Sequence, residues 1–147
     1  MLASILILVV SLVLFAYWFR YTCILLLNAR TQEDYAPRIA AANGLSFLEV
    51  HGQLQAQPPS AVLLDSLHRS LDRDYRILRY LLEHAAGLKI GIAERRLLLC
   101  DYAVMRTWYR MVRRFSPERA RNALDECSQI LAYLAHQMGR RGAAQMA

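Results

Sequence analysis

Apolar positions in this chain follow two different rules. Over residues 1–19, MLASILILVVSLVLFAYWF, they are nearly continuous and no charged side chain interrupts them. Beyond about residue 60 they return every three or four positions, the spacing that places side chains on one face of an α-helix. The first rule describes a segment with apolar surroundings on every side. The second describes helices that cover a core on one side and meet water on the other.

Wound as a helix, residues 1–19 reach about 28 Å at 1.5 Å per residue, close to the ~30 Å hydrocarbon core of a bilayer. Nothing basic precedes the run and no small-residue cleavage pattern follows it, so the sequence predicts an uncleaved transmembrane anchor over 1–28. Tyr17, Trp18, Phe19 and Tyr21 gather near its end with Arg20 among them. Such rings favour the headgroup level, and the guanidinium can snorkel to it. The apolar run then resumes through Leu27. Two spans fit: about 1–19, which makes those five residues a membrane-interface belt, or about 5–27, which puts Arg20 inside the bilayer. The belt favours the first.

Residues 29–59 read as a partly helical connector. Glu33-Asp34-Tyr35-Ala36-Pro37 has the acids and early proline of a helix start. Asn43-Gly44 breaks it, and Phe47, Leu48, Val50 and Leu54 make a second short amphipathic piece, ended by Pro58-Pro59. Ser60 is a good N-cap. Leu63, Leu67, Leu71, Tyr75, Leu78, Leu82 and Ala85 then form one face of a helix over about 60–86, with Gly87 as its stop. Over about 91–115, Leu98, Tyr102, Met105, Tyr109 and Val112 make one stripe. Leu97, Val104, Trp108, Met111 and Phe115 make a second, so the helix is expected to pack against more than one neighbour. Ser116-Pro117-Glu118 restarts the chain as N-cap, N1 proline and first-turn acid. Ala120, Leu124, Cys127, Leu131, Leu134 and Met138 line a helix over about 117–138 that Gly139 ends, leaving 140–147 as a mobile tail. The expected fold is all-α: one N-terminal transmembrane helix, then an antiparallel three- or four-helix bundle over 60–139. Leu71, Leu78, Leu98, Met105, Leu124 and Leu131 are its expected core.

Composition agrees with this outline. The 147 residues are 56% hydrophobic with 6 Gly and 4 Pro, which argues against disorder and against an all-β fold needing frequent turns. The net charge is +6, and 17 of the 18 basic residues are Arg. That balance suits an anionic partner, although a GC-rich genome would produce the same bias. Arg20, Arg30 and Arg38 follow the span, so the positive-inside rule puts the C-terminal domain in the cytoplasm and the N-terminus outside. Cys23, Cys100 and Cys127 are far apart and odd in number. They are expected as small buried hydrophobes in a reducing compartment.

Candidate chemistry is sparse. Asp65-x-x-His68 is the nearest approach to the Glu-x-x-His of a di-iron bundle, with the wrong acid and no second copy. There is no CxxCH, GxSxG, phosphate loop or dinucleotide fingerprint. Lys89, the single lysine, falls in a turn. No cofactor, metal or catalytic residue is therefore expected. Arg69 and Arg76 each follow an acid, Asp65 and Asp72, by four residues, which suggests a self-paired helix face. Arg106, Arg110, Arg113, Arg114, Arg119 and Arg121 have less local compensation, and Trp108 and Tyr109 lie among them. These eight residues are the expected partner-binding surface.

The pattern leads to a non-catalytic, membrane-anchored interaction protein: an accessory, assembly or scaffold subunit of a larger bacterial inner-membrane complex. Its partners would be other membrane-complex subunits or itself, besides the lipid bilayer. Nucleic acid is not expected, since no helix-turn-helix or RNP-like pattern occurs. The alternatives are a membrane-tethered module binding anionic lipid or another anionic ligand through its arginines, and a cofactor-binding redox subunit.

Overall fold

The computed structural model describes residues 1–28, 35–56, 60–84 and 91–146. All regular structure among them is helical, in two compact units, residues 1–30 and 31–147. Ala85, Gly87, Lys89, Glu33-Asp34 and Pro58-Pro59 lie outside the described residues.

The first unit is one helix, α1 (Leu2–Asn28). Its stretch Leu2–Leu25 has a mean hydropathy of 2.6 and is long and apolar enough to cross a membrane. The helix passes through Arg20 without a break, so both spans considered above fit on it. Tyr17 stacks on Tyr21 with ring centroids 6.4 Å apart, and Trp18 meets Tyr21 edge-on at 6.2 Å. Tyr17, Trp18 and Tyr21 thus form one group of rings, while Phe19 stacks on Phe15 at 6.4 Å. Thr22 donates back to the Trp18 carbonyl at 2.9 Å, which hides its hydroxyl within an apolar helix.

The second unit is a five-helix bundle: α2 (Ala36–Asn43), α3 (Phe47–Ala56), α4 (Ala61–His84), α5 (Ile92–Val112) and α6 (Pro117–Met146). The connector therefore supplies two short helices to the bundle. Gly44 closes α2 in the left-handed conformation, φ 61°, where a side chain would be strained. Ser60 and Ser116 cap α4 and α6, accepting from the N–H groups of Leu63 and Arg119 at 3.3 and 3.4 Å.

The six expected core residues are all buried. On α4 the buried set is Leu64, Leu67, Leu71, Asp74, Leu78 and Leu82. Leu63 and Tyr75, expected in that face, lie half-buried on its flanks. Three successive steps of four drift about 120° around a helix of 3.6 residues per turn, which carries both off the face. Asp74 takes the vacated position. Its Oδ2 accepts from the Ser46 N–H at 2.7 Å and from the Ser46 hydroxyl at 3.3 Å, at the start of α3. Arg73 lies 3.6 Å from its other oxygen. The buried carboxylate thereby caps α3 and ties it to α4.

Helix α6 packs against α2, α3, α4 and α5. It buries Ala123, Ser128, Ile130, Ala135 and Gln137 in addition to its expected stripe. Nor does it end at Gly139: it continues to Met146, so a mobile tail over 140–147 is corrected to a helical one through Met146. The reason lies in Gly139 itself. A Cβ there would sit 2.3 Å from the Cβ of Tyr35, the residue that immediately precedes α2. This glycine provides close approach between helices and is not a stop. Gly142, on the same helix, has nothing within 4 Å of such a Cβ.

That contrast predicts opposite signs for the same substitution. Gly142→Ala is expected to stabilise the chain by up to ~1 kcal/mol through helix propensity. Gly139→Ala is expected to destabilise it by about 1–3 kcal/mol through overpacking. Urea melts of the full chain in detergent, followed by circular dichroism, measure both. Equal shifts would contradict the close contact.

Candidate functional site

The expected docking surface centres on α5, and the structure divides that helix into three faces. Leu98, Met105 and Val112 are buried in the core, alongside α6. A second face looks across to α4, yet no Cα of α4 lies within 8 Å of one in α5. Long side chains bridge that gap. Asp65 Oδ1 accepts from the Tyr109 hydroxyl and from Arg113 Nη1, each at 2.8 Å. One heptad away, Asp72 Oδ1 accepts from the Tyr102 hydroxyl at 3.4 Å and pairs with Arg106 Nε at 3.4 Å. Each rung is one Asp from α4 and a Tyr-x-x-x-Arg from α5. The numbers run in opposite directions, which makes the two helices antiparallel neighbours. Tyr75 and Tyr102 stack beside the second rung, centroids 4.2 Å apart and planes at 2°.

Three residues expected on the docking surface are therefore used inside the fold. Tyr109 is fully buried. Arg106 and Arg113 are committed to Asp72 and Asp65. The same finding corrects the expected local pairing of Asp65 and Asp72 with Arg69 and Arg76: the two acids reach across to α5. Tyrosine and arginine can span a gap of this width while Asp meets both donors. The Tyr109 phenol and the Arg113 guanidinium hold the Asp65 carboxyl below its ordinary value, against a partial opposing effect of burial. Burial, then the bond to Asp65, raises the Tyr109 phenol. The Tyr102 phenol is raised chiefly by burial.

The third face of α5 is open. Val104, Trp108 and Met111 on it are 49, 41 and 60% exposed, and Phe115, in the turn just after α5, is 87% exposed. Packing of this second stripe against another helix was expected, but these four side chains are left exposed. Arg110 and Arg114 are exposed, and no acidic side chain among the described residues forms an ion pair with either. Arg110 lies in the last turn of α5, where a cation complements the helix dipole. Arg119 is exposed and Arg121 half-buried in the opening turns of α6.

His68, met in the sequence only as part of an incomplete di-iron motif, sits beside this surface. Its ring lies 4.6 Å from that of Tyr109, and Nε2 is 4.0 Å from Asp72 Oδ2. Burial lowers its pKa; Asp72 opposes that shift, while Arg106 and Arg110 add to it and Asp65 opposes it. With Arg110, Met111, Arg113, Arg114 and Phe115 it lines an open groove of about 590 Å³. The groove could have been suspected from Asp65-x-x-His68 facing an arginine-rich helix end.

One further polar cluster resembles a hydrolytic triad by composition only. His51 Nδ1 lies 2.7 Å from Asp125 Oδ1 and 3.4 Å from Ser128 Oγ. Both contacts fall on the same ring nitrogen, and the Ser128 hydroxyl donates to the Asp125 carbonyl at 2.6 Å. A proton relay needs the two ring nitrogens to serve the acid and the hydroxyl separately. This cluster instead fastens α3 to α6. Tyr133 donates to Glu94 and accepts from Gln137 Nε2 at 2.9 Å, joining α5 and α6. Burial, with the Glu94 carboxylate, pushes its phenol up to about 12. Cys127 is buried and its thiol is pushed up by burial, whereas Cys100 is exposed, contrary to expectation. No group of three or more His, Cys, Asp or Glu arranged to hold a metal occurs among the described residues.

No protein-family model, curated protein or solved structure matches the chain. The surface must be read from its own chemistry.

The first rung carries a pH prediction. The folded Asp65 carboxyl titrates below its ordinary value near 3.8, so its stabilisation is complete above that value and is lost as the pH falls through the folded-state pKa. Wild type is expected to exceed Asp65→Asn in urea midpoint at about pH 6, with the two converging towards about pH 2. Tyr109→Phe is expected to move the Asp65 titration, followed by carboxyl NMR, back upwards. A difference that persists at the acid limit would show that charge is not what the rung uses.

Proposed function

We propose that the chain is a non-catalytic, membrane-anchored docking subunit of a larger assembly in a bacterial inner membrane. In this reading α1 spans the bilayer, the α2–α6 unit stands in the cytoplasm, and the outer face of α5 seats an amphipathic helix of another subunit. The observation that carries it is the exposed stripe Val104, Trp108 and Met111, continued by Phe115 in the turn that follows, on a helix whose other apolar stripe is buried. Four large side chains at helical spacing match the anchors by which one helix lies against another. Trp and Arg are also the residue types that dominate binding energy at interfaces.

Charge selects the partner's chemistry. Between Tyr102 and Pro117 there are four arginines and no acidic residue. A second copy laid across the same stripe would bring arginine rows together, at a cost in repulsion. A partner helix with apolar positions and Asp or Glu on its flanks would be attracted instead. The cytoplasmic orientation is supported by Arg20 near the end of the apolar run and by Arg30 and Arg38 beyond it.

Two measurements test this reading. A photo-crosslinking amino acid at Met111 of the full chain, in native membranes, is expected to capture one distinct protein through an acidic helix, and the same probe at Tyr80 on α4 is not. Val104→Ser with Trp108→Ser is expected to cut the adduct at least about tenfold while leaving helicity intact, as loss of two hot-spot contacts would. An adduct between two copies of this chain, or equal labelling from Tyr80, would overturn it. Separately, a reporter that fluoresces only in the cytoplasm is expected to be bright when fused after Ala147. Activity only of a periplasmic reporter would reverse the orientation.

A further inference from the structure

The groove between α4 and the end of α5 shares Met111 and Phe115 with the outer stripe, and its arginines and histidine give it a further chemistry. Its lining contains three guanidiniums, from Arg110, Arg113 and Arg114. Asp65 engages Arg113. The other two form no ion pair with an acidic side chain among the described residues, so one lining carries two positive charges with no such partner. His68, only 12% exposed at its side chain, adds a ring to the same lining. Met111 and Phe115 supply an apolar wall. The volume of about 590 Å³ lies inside the roughly 300–1,000 Å³ range of small-molecule sites.

We propose that this groove binds a phosphate monoester, with Arg110 and Arg114 holding the phosphate, His68 beside it and the organic group against Met111 and Phe115. The charge decides between anions. A carboxylate would neutralise one of the two free guanidiniums, whereas a phosphate monoester carries about −1.5 to −2 near neutral pH. Planar guanidinium forks also match phosphate oxygens in pairs. Arg113 stays with Asp65 and positions the rim. The groups facing His68 are Asp65 and Asp72 from α4 and Arg106, Tyr109 and Arg110 from α5. In the empty groove, burial and the two arginines favour the neutral ring. A dianion placed beside it reverses that balance, so binding and protonation of His68 are coupled. The phosphate could belong to a soluble metabolite or to the headgroup of a phosphatidic-acid-like lipid. The two share the same recognition chemistry.

The test uses the full chain in zwitterionic detergent, with its histidine rings followed by NMR and His68 assigned from His68→Asn. Phenyl phosphate is expected to shift the His68 signals saturably and to raise the pH at which that ring titrates. Arg110→Gln with Arg114→Gln, both at exposed positions, is expected to weaken the binding at least tenfold with helicity unchanged. Inorganic phosphate is expected to bind more weakly than phenyl phosphate, and Phe115→Ala to erase the difference. Nanodiscs of phosphatidylcholine with and without phosphatidic acid separate the sources. A His68 shift already present with phosphatidic acid, and not increased by phenyl phosphate, assigns the lipid. A shift that needs phenyl phosphate in both assigns the soluble ester. No His68 shift with any of these probes, or a shift that survives the double substitution, would overturn the proposal.

Discussion

Everything in the α2–α6 unit depends on one helix being narrow enough to be shared. Helix α6 meets four others, and it can do so because Ala120, Ala123, Ser128 and Ala135 leave room for neighbours around its circumference. At its far end Gly139, with no side chain, admits the side chains of Tyr35 and Ile39 at the start of α2. A helix in this position contributes one wall to each of several contacts, so a gain in its bulk is felt in all of them. The cost falls on α4 and α5. Both lean on α6 and are held apart from each other, which leaves a gap too wide for aliphatic contact.

The gap explains the chemistry of the α4–α5 seam. Leucine could not reach across it, but the six or more bonds of tyrosine and arginine can, and their polar ends must then be met by acids. Two aspartates each meet a tyrosine and an arginine, closely in the first rung and more loosely in the second. Apolar burial thus holds the bundle to α6, while hydrogen bonds and ion pairs hold α4 to α5. The same division leaves the remaining arginines and the outer apolar stripe of α5 without work inside the fold. Their exposure is what motivates reading them as surfaces for other molecules.

Much of the fold was legible because it rests on short-range rules. Ser60 and Ser116 as caps, Gly44 as a left-handed stop and the alternation of three- and four-residue steps are properties of one segment at a time. What sequence alone misplaced depends on two segments at once. Gly139 looks like a helix end until Tyr35 is known to lie against it. Asp74 drew no notice in the sequence, because its partner Ser46, at one of its oxygens, lies 28 positions away. Tyr109 looks like an interface anchor beside its arginines, because nothing local reveals that Asp65 waits 44 positions earlier. The apolar stripe and the arginine cluster around it were visible in advance. Which arginines were already spoken for was not.

The two rungs also constrain how this sequence can drift. Each joins three positions, 65 with 109 and 113, and 72 with 102 and 106. Losing either aspartate strands two donors at once, and losing one donor leaves an acid with less than it was placed to hold. Replacement is therefore easiest as a set, for example with apolar residues that close the gap from both sides. Descendants of this chain would then carry their history as triplets that change together, offset by seven residues on each helix. Such a signature could identify distant kin after the rest of the sequence has lost its likeness.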